Sequence, residues 1–366
     1  MSSLWSHSHE TNREAAEQSS DVHSLEHPSN LISLLAAVGN DLPLVDSSNL
    51  KFDKKIGKGS SFEVRRATLS SSEDQISTSE HYVAVKLINV AGKAPSQLRR
   101  QYDSVIRELR VLTHPSLRDH DNIIHLIGYG WTNDVYGMRP YLVVDYSIDG
   151  TLIQYLNRIK PRMKLDLAEL RELALDVALG LKALHNSKII HGDIKTKNIL
   201  AYNASGQGPR RSLIAKLADF GSSIFELDES QLVTYGGTAL YNAPEQEGRG
   251  RYKIEKAFKL EHFYAADVYS FGITLWEIMN HGRAYIEIDW RMSGESDTQF
   301  LDRVCIDEED GLLRRAVEFC ERLFEGTNQN SVKMAILQTF NLTLRDLASR
   351  RSDMLRIIEV LAQGTE

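Results

Sequence analysis

Between residues 50 and 90 the apolar positions keep a strand period. Phe62, Val64 and Ala67 are spaced along one run, and Val83, Val85 and Leu87 alternate with Ala84 and Lys86 in the next. Such alternation is the mark of a half-buried strand. A polar stretch at 70–80 lies between the runs and predicts a surface hairpin loop. From Leu98 the period changes. Leu98, Tyr102, Val105, Leu109 and Leu112 step by four and three, which predicts a helix. Residues 123–131 and 141–146 return to strand character. Beyond Gly150 helical spacing dominates: Leu170, Leu173, Val177, Leu181 and Leu184 form one stripe, and 266–279 is a second apolar helix. The pattern is α+β, a small sheet with one helix followed by a larger, mainly helical region.

The remaining stretches fill in the organisation. Residues 1–30 are rich in Ser, His and Glu and are expected to be disordered. His7, His9, His23 and His27 read there as scattered, solvated side chains, because no rigid scaffold would fix ligand geometry. Residues 31–38 are apolar after Ser29-Asn30 and predict a short capped helix. Residues 203–211 form a Gly/Pro/Arg turn insert, 248–262 a basic insert, and 291–343 a long, mostly helical stretch. No internal repeat stands out.

Length and charge narrow the function. A chain of 366 residues is too long for one simple core, so two packed units are expected. A formal charge of -7 argues against nucleic acid as the main partner. No apolar run is long enough to span a membrane, and the N-terminus has no signal-peptide core. The two cysteines, Cys305 and Cys320, lack metal-type spacing, which suits a reducing intracellular compartment, cytoplasmic or nuclear.

The chemistry sits in two short segments, His191-Gly192-Asp193-Ile194-Lys195-Thr196-Lys197-Asn198 and Asp219-Phe220-Gly221. A carboxylate can accept the proton of an attacking hydroxyl. An amide oxygen and a second carboxylate suit hard Mg²⁺. A lysine can neutralise charge on a transferring group. Together they have the layout of a phosphoryl-transfer site. Upstream come Ile56-Gly57-Lys58-Gly59-Ser60-Ser61-Phe62-Glu63-Val64, then Val83-Ala84-Val85-Lys86, then Glu108; downstream comes Ala243-Pro244-Glu245.

In that order these elements resemble a eukaryotic-type serine/threonine protein kinase, of the tyrosine-kinase-like and fungal branch with a His-Gly-Asp catalytic loop. The resemblance covers about 50–290 well and 345–363 more thinly. It implies a bilobal kinase fold: a tail at 1–49, a kinase domain at 50–363, a small antiparallel-sheet lobe at about 50–146 and a larger helical lobe at about 147–363, with 291–343 atypical. It implies ATP and Mg²⁺ as cofactors and a protein as substrate, and it leaves room for a regulatory partner. Gly57 and Gly59 would approach the phosphates with backbone N–H groups. The family's third glycine is replaced by Phe62. Lys86, paired with Glu108, would address the α- and β-phosphates. Ile56, Val64, Ala84 and Leu200 would wall an adenine pocket, Asp145 and Ser147 would lie in the hinge, and Val144 would be a small gatekeeper. Asp193 would be the base, Lys195 would neutralise the γ-phosphate, and Asn198 and Asp219 would hold Mg²⁺. His191 and Phe220, joined by Leu112 and Leu126, would pack to align the lobes.

Further implications concern anchoring and specificity. Asp267 would anchor the catalytic-loop backbone, and Glu245 would pair with Arg350 or Arg351. Lys195 and Thr238 resemble serine/threonine rather than tyrosine kinases. The competing reading is a pseudokinase, an ATP-binding scaffold, which Phe62 and 291–343 favour and the intact Lys86, Glu108, Asp193, Asn198 and Asp219 oppose. A small-molecule kinase of related fold is disfavoured by the complete segment from Gly237 to Glu245.

Overall fold

The computed structural model describes residues 42–59, 61–70, 81–90, 92–134, 137–159, 166–204, 213–225, 237–249, 260–287, 292 and 294–363. Residues 1–41 of the expected tail, the helix at 31–38 among them, and most of the segments at 70–80, 203–211 and 248–262 lie outside them, whereas 42–49 are described and bring the folded part forward of residue 50, because Val45 is buried in the core of the first unit. The chain divides into two compact units, one of residues up to Leu109 with Leu126–Val144, the other of Arg110–His125 with the chain from Asp145 onward.

The first unit is built on a five-stranded sheet. Its elements are β1 (Leu50–Lys58), β2 (Phe62–Leu69), β3 (Tyr82–Ile88), α1 (Pro95–Leu112), β4 (Leu126–Asp134) and β5 (Gly137–Asp145), with sheet order β1-β2-β3-β5-β4. The pairs β1–β2, β2–β3 and β4–β5 are antiparallel. The period of two divides β3 between two buried faces. Val83, Val85 and Leu87 enter a core with Val45, Leu50, Ala67, Tyr141 and Val143. Ala84, Lys86 and Ile88 take the other face. Tyr141 is tied by its hydroxyl to the Val45 carbonyl at 2.6 Å, and burial pushes that phenol up to about 12.

The second unit is mainly helical: α2 (Leu152–Ile159), α3 (Leu167–Asn186), β6 (Ile189–Ile190), β7 (Ile199–Asn203), β8 (Leu213–Leu217), β9 (Ile224–Phe225), α4 (Pro244–Glu247), α5 (Leu260–Met279), α6 (Asp297–Asp307), α7 (Gly311–Leu323), α8 (Asn330–Thr343) and α9 (Met354–Ala362). Asp166 starts α3 through a capping box with Glu169. Helix α5 is apolar around much of its surface, as suits a helix surrounded by protein. Its Trp276 meets Tyr285, Phe319 of α7 and Phe340 of α8, so the atypical 291–343 stretch supplies core to α5. Two short ribbons, β6–β9 and β7–β8, frame the loops described next.

Two elements begin elsewhere than the apolar pattern predicts. Ile123 and Ile124 do not belong to β4: Ile123 bridges Leu217, and the Ile124 N–H donates to the Leu217 carbonyl at 2.9 Å. Helix α5 starts six residues before the apolar run, because Glu261 and His262 interrupt the run without interrupting the helix. No helix among the described residues is long and apolar enough to cross a membrane.

Candidate active site

In the first unit the candidate residues gather on one sheet face. Val64 lies opposite Lys86 in the β2–β3 register, and Ala84 opposite Arg66. The Lys86 ammonium pairs with the Glu108 carboxylate of α1, and both residues are buried. Ile56 is exposed on β1 and Val144 is buried at the end of β5. Neither Gly57 nor Gly59 has a positive φ. A Cβ on Gly57 would come no nearer than 3.7 Å to Val64, and one on Gly59 no nearer than 3.8 Å to the Phe62 carbonyl oxygen. The protein's own packing therefore does not require glycine at either position.

In the second unit the loop after β6 is fixed from below. Asp267, fully buried on α5, accepts the His191 N–H at 2.7 Å and the Gly192 N–H at 2.9 Å, and His185 Nε2 lies 3.1 Å from the same carboxylate. Gly192 has φ +80°, and a Cβ there would stand 2.6 Å from the Ser222 carbonyl oxygen. Only glycine meets both conditions easily.

This scaffold presents a closed polar triangle. Asp193 Oδ2 accepts from Lys195 Nζ at 2.6 Å, Asp193 Oδ1 accepts from the Thr238 hydroxyl at 2.8 Å, and Lys195 Nζ donates to Thr238 Oγ1 at 2.8 Å. Asn198 closes the loop through its amide nitrogen, which donates to Asp193 Oδ2 and to the Asp193 carbonyl, each at 2.9 Å. Its amide oxygen has no partner among the described residues. Asp219 is exposed and stands at φ +63°, a left-handed conformation uncommon for a residue with a side chain. Its carboxylate also has no partner among the described residues.

Around the triangle the packing is tight. Phe220 and His191 are fully buried, with ring centroids 5.3 Å apart. Burial holds the His191 imidazole below its ordinary range, outweighing the neighbouring Asp267, Asp193 and Asp219 carboxylates. Arg351 forks onto Glu245 at 2.5 and 2.7 Å, while Arg350 turns to Glu309. Near the hinge, Ser147 uses its hydroxyl on the Gly150 N–H at 2.9 Å and the Ala201 carbonyl. The Asp145 carboxylate faces Lys216 at 3.6 Å and His125 at 3.9 Å. Leu200 is half-buried and bridges Thr151.

Several participants escaped the sequence pattern. Glu277 on α5 accepts from the hydroxyls of Thr196 and Tyr241, each at 2.6 Å, tying the loop to the segment that carries Thr238. A carboxylate inside an apolar helix is the signal available for Glu277 in the sequence. Tyr202 donates to the Asp145 carbonyl at 3.3 Å and had no signal. Among the described residues no three or more His, Cys, Asp or Glu side chains gather to hold a metal. Cys305 and Cys320 are free, and burial pushes both thiols up to about 12.

The protein kinase domain matches residues 50–330, and the chain belongs to the protein kinase family, with its α+β bilobal fold. It is 29% identical over 249 residues to a mitogen-activated protein kinase kinase kinase 7-like protein of Drosophila melanogaster, covering 67% of this chain and 52% of that one. It is 30% identical over 199 residues to the serine/threonine/tyrosine-protein kinase HT1 of Arabidopsis thaliana, covering 54% and 44%. It is 30% identical over 168 residues to the megakaryocyte-associated tyrosine-protein kinase of Mus musculus, covering 45% and 28%. The chain spans about half, or less, of the length of these relatives.

Proposed function

We propose that this chain transfers the γ-phosphoryl group of ATP to serine and threonine hydroxyls of protein substrates. The observation that carries the reading is the Asp193–Lys195–Thr238 triangle with Asn198 beside it. Asp193 is held by three donors, which supports its reading as the base that accepts the proton as the substrate hydroxyl attacks. The Lys195 ammonium beside it neutralises charge on the transferring γ-phosphoryl group, and Thr238 keeps the acceptor site short. Lys86, aimed by Glu108, addresses the α- and β-phosphates.

The residues fit the two small partners. Gly57 and Gly59 have no internal reason to be glycine, and backbone approach to phosphate supplies one. The Asn198 amide oxygen and the Asp219 carboxylate accept no hydrogen bond among the described residues, and as oxygen donors they suit a hard cation. Mg²⁺ bound there would neutralise phosphate charge. The left-handed backbone at Asp219 is the sort of local strain found at functional positions.

The test is phosphate transfer from Mg-ATP to a randomised peptide array with Ser, Thr or Tyr as acceptor. Transfer to Ser and Thr is expected. Asp193→Asn should lower the rate by roughly 10²- to 10⁴-fold and leave nucleotide binding intact. Equal transfer by both proteins, or none by wild type that still binds ATP, replaces the reading with the scaffold alternative.

A further inference from the structure

Phe62 stands where the family has its third glycine, and it lies on the sheet face that carries Lys86. Side chains opposite one another across β2 and β3 share a face, and the register sets Phe62 opposite Ile88 and Val64 opposite Lys86. Phe62 and Lys86 are therefore diagonal neighbours. The ring is only 5% exposed and shares an apolar lining with Ile88, Val105, Leu109 and Leu142. The Lys86 ammonium sits over that ring, 4.5 Å from its centroid, while it pairs with Glu108.

We propose that Phe62 is a positioning residue for Lys86, which rests on the kinase reading above. A lysine ammonium is a point charge on a flexible four-carbon stem, and a carboxylate alone fixes its distance better than its direction. The π face adds a second, directional contact, and it counts for more where water is excluded. The wall of Val105 and Leu109 on α1 keeps the ring itself from swinging. Glycine at this position would offer no ring for the ammonium or for that wall to hold. The glycine loop is thereby joined to the Lys86–Glu108 pair through a side chain.

The experiment compares Phe62→Leu, which keeps apolar bulk but has no π face, with Phe62→Tyr, which keeps both. Calorimetry reads the affinity for Mg-ATP, and urea unfolding without nucleotide reads stability in wild-type and Lys86→Met backgrounds. Phe62→Leu should weaken Mg-ATP binding about threefold to thirtyfold, the span of a cation–π contact from partly to fully desolvated. Phe62→Tyr should bind as wild type does. In the unfolding cycle the effect of Phe62→Leu should shrink once Lys86 is Met. Should Phe62→Leu fail to fold, Phe62→Met, apolar and adaptable, is read in its place. A melting loss with unchanged affinity, or additive effects in the cycle, overturns the proposal. Wild-type protein that binds no Mg-ATP removes the kinase reading and the proposal with it.

Discussion

At the scale of single residues, Gly192 connects backbone geometry to control. Its φ of +80° and the Ser222 carbonyl 2.6 Å from a would-be Cβ fit glycine, and glycine brings no cation next to Asp193. Kinases switched by a loop phosphate commonly place an arginine there as its receptor. Activity here should therefore not require phosphorylation of Ser222, Ser223, Ser230 or Thr234. Phosphatase-treated protein and the fourfold alanine variant should both retain near-wild-type rates. Loss in both, restored by phosphorylating the treated wild type, would contradict this. His191 has a different consequence, for stability against pH. Burial holds its pKa below the ordinary histidine value in the folded state, and His120 is held down in the same way. The unfolded chain takes up these protons below about pH 6.5, so it binds more protons there than the folded one. Stability must then fall as pH drops from 7 to 5, by at most about 1.4 kcal/mol per pH unit for each group. Urea unfolding of His191→Phe should show a shallower fall over that window; an unchanged slope would remove His191 from the account.

At the scale of elements, what was legible followed local periodicity. The stripes through α1 and α3 and the alternation in β3 are properties of neighbouring residues, and the structure has those elements where the periods put them. Ile123 and Ile124 have strand-like chemistry, but a distant strand, β8, recruits them, and that information is not local. The same holds for Trp276 against Phe319 and Phe340, which joins the 291–343 stretch to α5. The site was legible because its motifs are contiguous. The ring beneath Lys86 was not, since the sequence offers a missing glycine and no hint of where the aromatic goes. The choice between Arg350 and Arg351 needed the turn geometry at Ala348–Arg350, which sends successive side chains apart. Arg351 engages all five of its N–H donors: Glu245 twice, and the carbonyls of Ala265, Arg345 and Asp346. Replacing it with methionine would leave the buried Glu245 carboxylate without its fork. Such losses cost about 3–5 kcal/mol. Urea unfolding should show a drop of that order for Arg351→Met, and a partial recovery when Glu245→Gln is added. A drop below about 1 kcal/mol, in the range of an exposed pair, would mean that the fork is dispensable.

At the scale of the whole molecule, two charge effects compete over substrate choice. The formal charge of -7 favours basic peptides at long range. Lys197, one residue before Asn198, is exposed and has no partner among the described residues, and it disfavours basic side chains close to the acceptor. The range of each effect decides. Exposed charges are largely screened beyond about 8 Å at physiological salt. The net charge is spread over the chain and acts mostly on encounter, while Lys197 lies four residues from Asp193 and within reach of a bound peptide. The local cation should win in the bound state, so the enzyme should not prefer arginine near the acceptor and should tolerate acidic residues there. On a positional peptide array, Lys197→Glu should shift selection toward arginine, and the shift should persist at 0.15 M salt. An array on which wild type already selects arginine upstream of the acceptor would assign specificity to other residues.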